Sequence, residues 1–315
     1  MSYKKLLVGF ATADAMGVPV EGFPREKLRN DPVTNMREFG SWNQPAGTWS
    51  DDTTMTIATM ESITRLKKIN YDDIMRNFVK WYKNGEFTVS GLFDIGITTS
   101  QAVSNFIHGK PALECGGRDI HSNGNGSLMR MVPIALYLHR HYSNNFDAEA
   151  MKVIHKMSAL THGHPISQMC CGFYCLIAAE LLENKPITTA VTDGLSKGAN
   201  FYKKMPKVTV AVDKYFGRLL DEKFINLPEI AIESSGYVLH SLEAAIWCLL
   251  NTNDYRSLIL KAVNLGRDTD TIGAIASGLG GLVYSVEDLP MEWISKLRKK
   301  EYLEKIENAF LNSLD

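Results

Sequence analysis

Gly266-Arg267-Asp268-Thr269-Asp270-Thr271 runs directly into Ile272-Gly273-Ala274-Ile275-Ala276-Ser277-Gly278-Leu279-Gly280-Gly281. Two carboxylates and two hydroxyls fall in four consecutive positions, and small or apolar residues follow. On an ideal helix Asp268 and Asp270 would point about 200° apart. In a turn or extended segment, residues two apart face the same way. The spacing therefore predicts a loop entering a helix, with Asp270 or Thr271 near its N-cap. The helix carries so little side-chain bulk that its neighbours must pack closely on it. A buried helix start loaded with carboxylates needs a cation to be tolerable.

A second stretch repeats the pattern near the other end of the chain: Gly47-Thr48-Trp49-Ser50-Asp51-Asp52-Thr53-Thr54-Met55, leading into a helix with Ile57, Met60, Ile63 and Leu66 on one side. An isolated run of this kind is most often only a helix cap. Two near-copies in one chain suggest more: the two helix starts meet in space. Together they offer four Asp carboxylates with Ser50, Thr53, Thr269 and Thr271. An all-oxygen set selects hard cations such as Mg²⁺, Mn²⁺ or Ca²⁺ over zinc. Four carboxylates exceed what one divalent ion needs, so two ions are expected.

The 315 residues allow one large domain or two smaller ones. No internal repeat, low-complexity tract or linker divides them, so a single domain over 1–315 is expected. Hydrophobic residues make up 45% and charged residues 22%, the balance of an ordinary globule, and the net charge of −1 gives no footprint for bulk nucleic-acid or membrane binding. The apolar stretch after Met1-Ser2-Tyr3-Lys4-Lys5 ends at Asp14, too soon for a signal peptide, and no run reaches membrane-spanning length. Five cysteines (Cys115, Cys170, Cys171, Cys175, Cys248) lack C-x-x-C spacing; Cys170, Cys171 and Cys175 read as small core residues of a helix, and the set points to a reducing, cytoplasmic compartment.

Apolar periodicity places the helices. Residues 4–16 read as amphipathic, with Leu6, Leu7, Phe10 and Ala11 inward, ending at Gly17 before Pro19. Asp14 and Glu21 flank that end, and position alone favours a surface Glu21. Residues 22–46 read as a long loop, which inside a compact domain is usually functional. Tyr71–Lys83 forms a helix capped by Asp72 or Asp73, with Ile74, Phe78 and Trp81 inward. Phe93-Asp94-Ile95-Gly96 opens another, with Asp94 an ordinary N-cap. Asn123-Gly124-Asn125-Gly126-Ser127 is a Gly-rich loop feeding Leu128–Ile134, with Pro133 at a kink or join; its backbone N–H groups suit a phosphate. A helix over 147–159 leads to Thr161-His162-Gly163-His164-Pro165, with Pro165 opening the next. No third N or S ligand accompanies the histidines, so His162 reads as polar site lining, or as a structural histidine, and not as a zinc ligand. Helices follow near 187–203, 210–222, 237–250, 254–264 and 291–312. Val208-Thr209-Val210 is the best strand candidate and is short. The fold class is all-α.

In order, these motifs resemble the ADP-ribosylglycohydrolase family, which includes dinitrogenase reductase-activating glycohydrolases and ADP-ribosylhydrolases. The matching residues are Gly9-Phe10-Ala11-Thr12-Ala13-Asp14-Ala15-Met16-Gly17-Val18-Pro19-Val20-Glu21, Ser50-Asp51-Asp52-Thr53, Phe93-Asp94-Ile95-Gly96, Asn123 through Arg130, Thr161 through Pro165, Gly236-Tyr237-Val238 and Gly266 through Thr271. The resemblance implies an orthogonal multi-helix bundle with a dinuclear Mg²⁺ or Mn²⁺ centre. It implies cleavage of the glycosidic bond between ADP-ribose and an acceptor, such as an arginine or serine side chain or a small conjugate. Carried over, the metal ligands are Ser50, Asp51, Asp52, Asp268, Asp270 and Thr271. Glu21 is a movable carboxylate near the metals, and Asp94, Gly124, Asn125, Gly126, Ser127 and His162 line the ADP-ribose site. The chain departs from the family at Ala13 and Arg267, where Gly is usual, and at Ser50, where Thr is common. Ser50 keeps the ligating hydroxyl, Ala13 adds a methyl that bears on the Asp14 turn, and Arg267 bears on which acceptor fits.

The chemistry such residues support runs through an oxocarbenium-like state. Glu21 or Asp94 would move a proton to or from water or the leaving group, Asp268 would be essential, and the Asn123–Ser127 loop would hold the diphosphate. Two alternatives stand beside this reading: a family member that binds ADP-ribose or a related nucleotide without hydrolysis, and a dinuclear nucleotide phosphohydrolase.

Overall fold

The structure is a computed structural model describing residues 5–206 and 208–314. Over these residues no strand forms. The helices are α1 (Leu6–Gly17), α2 (Arg25–Asn30), α3 (Asp51–Leu66), α4 (Tyr71–Asn84), α5 (Ile97–Ile107), α6 (Val132–Tyr142), α7 (Ala148–Ala159), α8 (Pro165–Leu182), α9 (Ile187–Lys203), α10 (Thr209–Phe216), α11 (Val238–Leu250), α12 (Tyr255–Val263), α13 (Thr269–Gly280), α14 (Met291–Lys296) and α15 (Lys300–Ser313). The fold is all-α, as the periodicity requires.

At its centre α1 packs along α13, with α11 and α12 also against α13. Small residues permit this approach: a Cβ on Gly17 would lie 2.2 Å from the Asp270 Cα. Every residue of α1 is buried, so it is not the amphipathic helix its sequence suggests. Burying each of Leu7 and Phe10 contributes roughly 2 kcal/mol. Its expected first residue, 4, lies outside the described residues.

Lys5 at the N-cap of α1 is left-handed and gives no side-chain cap. Glu307 of α15 substitutes, accepting the Leu6 N–H at 2.7 Å and the Leu7 N–H at 3.2 Å. Glu307→Ala would orphan both buried donors, and we expect urea unfolding to show a loss of about 2–3 kcal/mol. An unchanged midpoint would mean that water replaces the carboxylate.

Several boundaries differ from the sequence reading. Asn70, not Asp72 or Asp73, caps α4, accepting the Asp73 N–H at 3.0 Å, while the Asp73 carboxylate accepts from Ser62 and Arg65. Asp94 is not the cap of α5; that helix starts after Gly96, and Asp94 sits in left-handed backbone at φ 61°. Ile97, which opens α5, is 90% exposed. The 22–46 loop contains α2 and a 3-10 turn at Gly40–Trp42. Thr209 begins α10, so no strand forms at 208–210, and α10 stops at Phe216. The tail breaks between α14 and α15, where Lys299 is left-handed. Pro133 marks a join, between a 3-10 turn at Leu128–Arg130 and α6. One helix, α8, is after all long and apolar enough to cross a membrane, but 83% of it is buried inside the fold, where α6, α7, α9 and α11 pack on it.

Candidate metal centre and active-site cavity

Four segments converge: the C-terminal half of α1, the starts of α3 and α13, and the loop before α5. Asp14 is fully buried on α1. Its Oδ1 accepts the Ser50 N–H at 2.9 Å, and its Oδ2 accepts the Thr53 N–H at 3.1 Å and the Thr53 hydroxyl at 2.5 Å. Ser50 is the N-cap of α3, and its hydroxyl donates to Asp52 Oδ2 at 3.0 Å. Thr271, in the first turn of α13, donates to the same oxygen at 3.3 Å. The two acidic helix starts therefore meet, as their repeated pattern predicted.

The cap of α13 is Asp268, two residues earlier than the nearer of the two expected positions. Gly266 at φ 79° and Arg267 at φ 64° reverse the chain just before it, so the helix begins sooner. Arg267 is exposed, and its left-handed backbone is the conformation glycine adopts most readily. The Asp268 carboxylate, off the helix, accepts the Asn125 side-chain amide at 2.7 Å. Ala13 causes no turn at Asp14: α1 continues to Gly17, and the methyl is fully buried.

Carboxylate oxygens of Asp14, Asp52 and Asp270 lie within 4.8 Å of one another, and so do those of Glu21, Asp94 and Asp270. The two triads share Asp270. Asp52 Oδ1 and Asp270 Oδ2 are buried with no hydrogen-bond partner. Such an orphaned oxygen costs roughly 1–3 kcal/mol or more when charged. Burial pushes the Asp14 carboxyl up to about 6, against the Thr53 and Ser50 bonds that favour its ionised form. Burial, then the neighbouring acids, raises Asp51, Asp52 and Asp270 well above the carboxylate range. Asp94 is raised strongly too, by burial and by the Asp270 and Asp51 charges. Burial raises Glu21 and Asp268 as well. Acids this crowded, with two free oxygens among them, fit a hard divalent cation shared between them.

Some expected contributors do other work. The Thr269 hydroxyl caps the end of α1, donating to the Gly17 carbonyl at 2.8 Å, and Thr53 serves Asp14. Of the expected ligands, Asp52 and Asp270 stand in the triads, Ser50 and Thr271 donate to Asp52, and Asp51 and Asp268 border the cavity above. Asp14 joins the cage although the residue pattern did not mark it as a ligand. The one signal was an acid inside a helical run that is otherwise apolar or small but for Thr12.

A cavity of about 340 Å³ opens over the cage. Glu21, Asp51, Asp94, Asp268 and Thr271 line it together with Gly124, Asn125, Gly126 and His162. Glu21 is thus a half-buried cavity residue; Trp42 Nε1 donates to its carboxylate. Nothing in the sequence pointed to Trp42. The side chains of Asn123 and Ser127 turn away from the cavity: Asn123 Oδ1 accepts from Ser167 at 2.9 Å, and the Ser127 hydroxyl lies 3.0 Å from that of Ser158. They shape the loop from behind. The loop is tied to the 234–238 segment by Asn125 N–H to the Gly236 carbonyl at 3.1 Å and Val238 N–H to the Asn123 carbonyl at 3.0 Å. Among the described residues no protein acceptor takes the Gly126 N–H, and Gly126 lines the cavity, where such a group suits an anion. His164 caps α8 and stays out of the site. A second cavity of about 620 Å³ adjoins the first at Ile97 and Thr98.

An all-α bundle that closes two carboxylate triads beneath a glycine-walled cavity defines a class of helical protein with an acidic cavity that could bind a metal. The family is specific: the ADP-ribosylglycohydrolase model matches residues 2–315, and the chain belongs to that family. The ADP-ribosylarginine hydrolase Tri1 of Pseudomonas putida (strain GB-1) is 30% identical over 305 residues, covering 96% of this chain and 76% of that protein. The ADP-ribosyl-(dinitrogen reductase) glycohydrolase of Rhodospirillum rubrum is 24% identical, covering 93% and 89%. A solved structure, an ADP-ribosylglycohydrolase-related protein complex, shares the fold with a TM-score of 0.79 at 24% identity, over 100% of this chain and 98% of that one.

Proposed function

We propose that this chain hydrolyses the glycosidic bond between ADP-ribose and an acceptor, with ADP-ribosylated arginine on a protein as the first substrate to test, and that two Mg²⁺ or Mn²⁺ ions support the reaction. The observation that carries this is the pair of triads sharing Asp270 beneath the Gly124–Gly126 wall. The arginine preference rests on the 30% identity to an ADP-ribosylarginine hydrolase.

The residues divide the work. Asp14, Asp52 and Asp270 would hold one ion, and Glu21, Asp94 and Asp270 the other, with Asp51, Asp268, Ser50 and Thr271 around them. Bound there, divalent ions supply Lewis acidity to sugar hydroxyls and water. Glu21 and Asp94 also sit at the cavity wall, where a carboxylate oxygen left free by the ion could take a proton from water or give one to the leaving group. The free Gly126 N–H, with His162, would receive the diphosphate. Five free, buried cysteines support a reducing, cytoplasmic setting.

The test is a panel of ADP-ribosylated arginine, serine and small-molecule substrates, assayed with and without chelator. Release of free ADP-ribose, lost with chelator, is expected. Inorganic phosphate as the product would favour a nucleotide phosphohydrolase, and tight ADP-ribose binding without turnover would favour a binding protein. Gly126→Ala offers a second check. The new Cβ would stand 2.8 Å from Thr99 Oγ1 and 2.9 Å from His162 Cε1. KM should rise about tenfold or more, and an unchanged KM would remove the diphosphate from this wall.

A further inference from the structure

Behind His162 lies a cation that the reaction scheme leaves unused. Arg130 is fully buried, and among the described residues no carboxylate pairs with it. Its guanidinium donates to the Met157 carbonyl from Nη1 and Nη2 at 3.3 Å, and from Nη2 to Thr161 Oγ1 at 2.8 Å. The group stacks over Phe78, 5.0 Å from the ring centre. Thr161 Oγ1 lies 2.8 Å from His162 Nδ1. Burying an arginine without a counter-charge is costly, so a chain that keeps one there gains something by it.

We propose that Arg130 and Thr161 are positioning residues that fix His162 as the neutral tautomer with its proton on Nε2, aimed into the cavity as a donor to an oxygen of the bound ligand. The direction of each bond decides the tautomer. A guanidinium only donates, so Thr161 Oγ1 accepts from Arg130. The hydroxyl has one proton to give, and His162 Nδ1 is its neighbour on the other side. Nδ1 therefore accepts, and the ring proton sits on Nε2. With the opposite tautomer two protons would converge on one buried oxygen and the hydroxyl proton would go unused. The backbone of His162 is held as well: its N–H donates to the Ser158 carbonyl at 2.7 Å, and the Ser158 hydroxyl donates to its carbonyl at 2.8 Å. Nε2 lies 3.3 Å from the position a Gly124 Cβ would take, beside the glycine wall, and no protein group accepts its proton among the described residues. Burial and the nearby guanidinium both disfavour the imidazolium. A bond donated to Nδ1 also withdraws charge from the ring and strengthens Nε2–H as a donor.

The ligand oxygen is a diphosphate oxygen if the cavity takes ADP-ribose, so the binding half of the proposal rests on that reading; the tautomer does not. The first measurement is the long-range ¹H–¹⁵N spectrum of His162 in the full-length, metal-loaded protein at neutral pH. Nδ1 should show the pyridine-like shift and Nε2 the pyrrole-like shift; the reverse assignment overturns the relay. The second is calorimetric binding of ADP-ribose to Thr161→Val and Thr161→Ser. Valine keeps the shape and removes the relay hydroxyl, so the single tautomer should be lost and Kd should weaken about tenfold. Serine restores the hydroxyl and should bring both readouts back to the wild-type values. Wild-type affinity in Thr161→Val, or failure of serine to rescue, sinks the positioning role. A wild-type protein that binds no ADP-ribose would refute the proposed substrate, while the spectrum still decides the tautomer.

Discussion

Asp270→Asn should lose about 10³-fold or more in ADP-ribose release, even at saturating Mg²⁺. Asp270 is the one carboxylate common to both triads, and its Oδ2 is buried without a partner. Asparagine keeps the volume and one carbonyl oxygen, and it removes the charge that both ion positions would share. The same substitution should stabilise the metal-free protein at neutral pH, by roughly 1–2 kcal/mol, because asparagine is neutral without the cost of protonating, or ionising, a buried acid among other acids. The pairing of opposite signs is diagnostic. A residue that merely holds the fold together would lose activity and stability together. Full activity in this variant at saturating Mg²⁺ would place the chemistry elsewhere.

Metal-free protein should become less stable as pH rises, and divalent cations should reverse the trend. The reason is linkage: the cage carboxyls have raised pKa values in the folded state, so the folded chain holds more protons than the unfolded one. For Asp14, moved by burial from 3.8 to about 6, the stabilising contribution is complete below about pH 4 and is lost as pH rises through about 6. That contribution is about 3 kcal/mol for Asp14 alone. Asp51, Asp52, Asp94 and Asp270 are raised further, which carries the decline through neutrality. A divalent ion takes the place of those protons. At about 100 times its Kd it should add roughly 2.7 kcal/mol at neutral pH and far less in acid, where protons compete for the same oxygens. Melting curves across pH, with Mg²⁺ and with chelator, test this. A metal-induced gain in Tm that does not grow with pH would mean the carboxylates are not where the ion binds.

The cage is partly legible in the residue order alone. Asp52 and Asp270 announce themselves because hydroxyl-Asp-Asp-hydroxyl and Asp-hydroxyl-Asp-hydroxyl runs at two helix starts are local patterns, and capping geometry makes such starts predictable. Asp14 is different. One carboxylate inside an apolar helix has no spacing to read, and its role comes from Ser50 and Thr53 reaching it across 36 and 39 residues of chain. Thr269 shows the converse, a residue in the right motif whose hydroxyl goes to the end of α1 because Gly17 brings that carbonyl against it. In the same way Asn123 and Ser127 belong to the glycine loop by sequence and to its rear face by packing.

By itself the sequence determined the all-α class, most helix positions, the meeting of two acidic helix starts and the oxygen-only chemistry. These follow from periods of 3.6 residues, from caps and from donor type, all of which are local. Only the tertiary structure decided which carboxylate oxygens come together, that Glu21 lines a cavity, and that Arg130 stands behind His162. Those facts depend on contacts between segments far apart in the chain, as where Gly17 of α1 meets Asp270 of α13, and no local pattern records them.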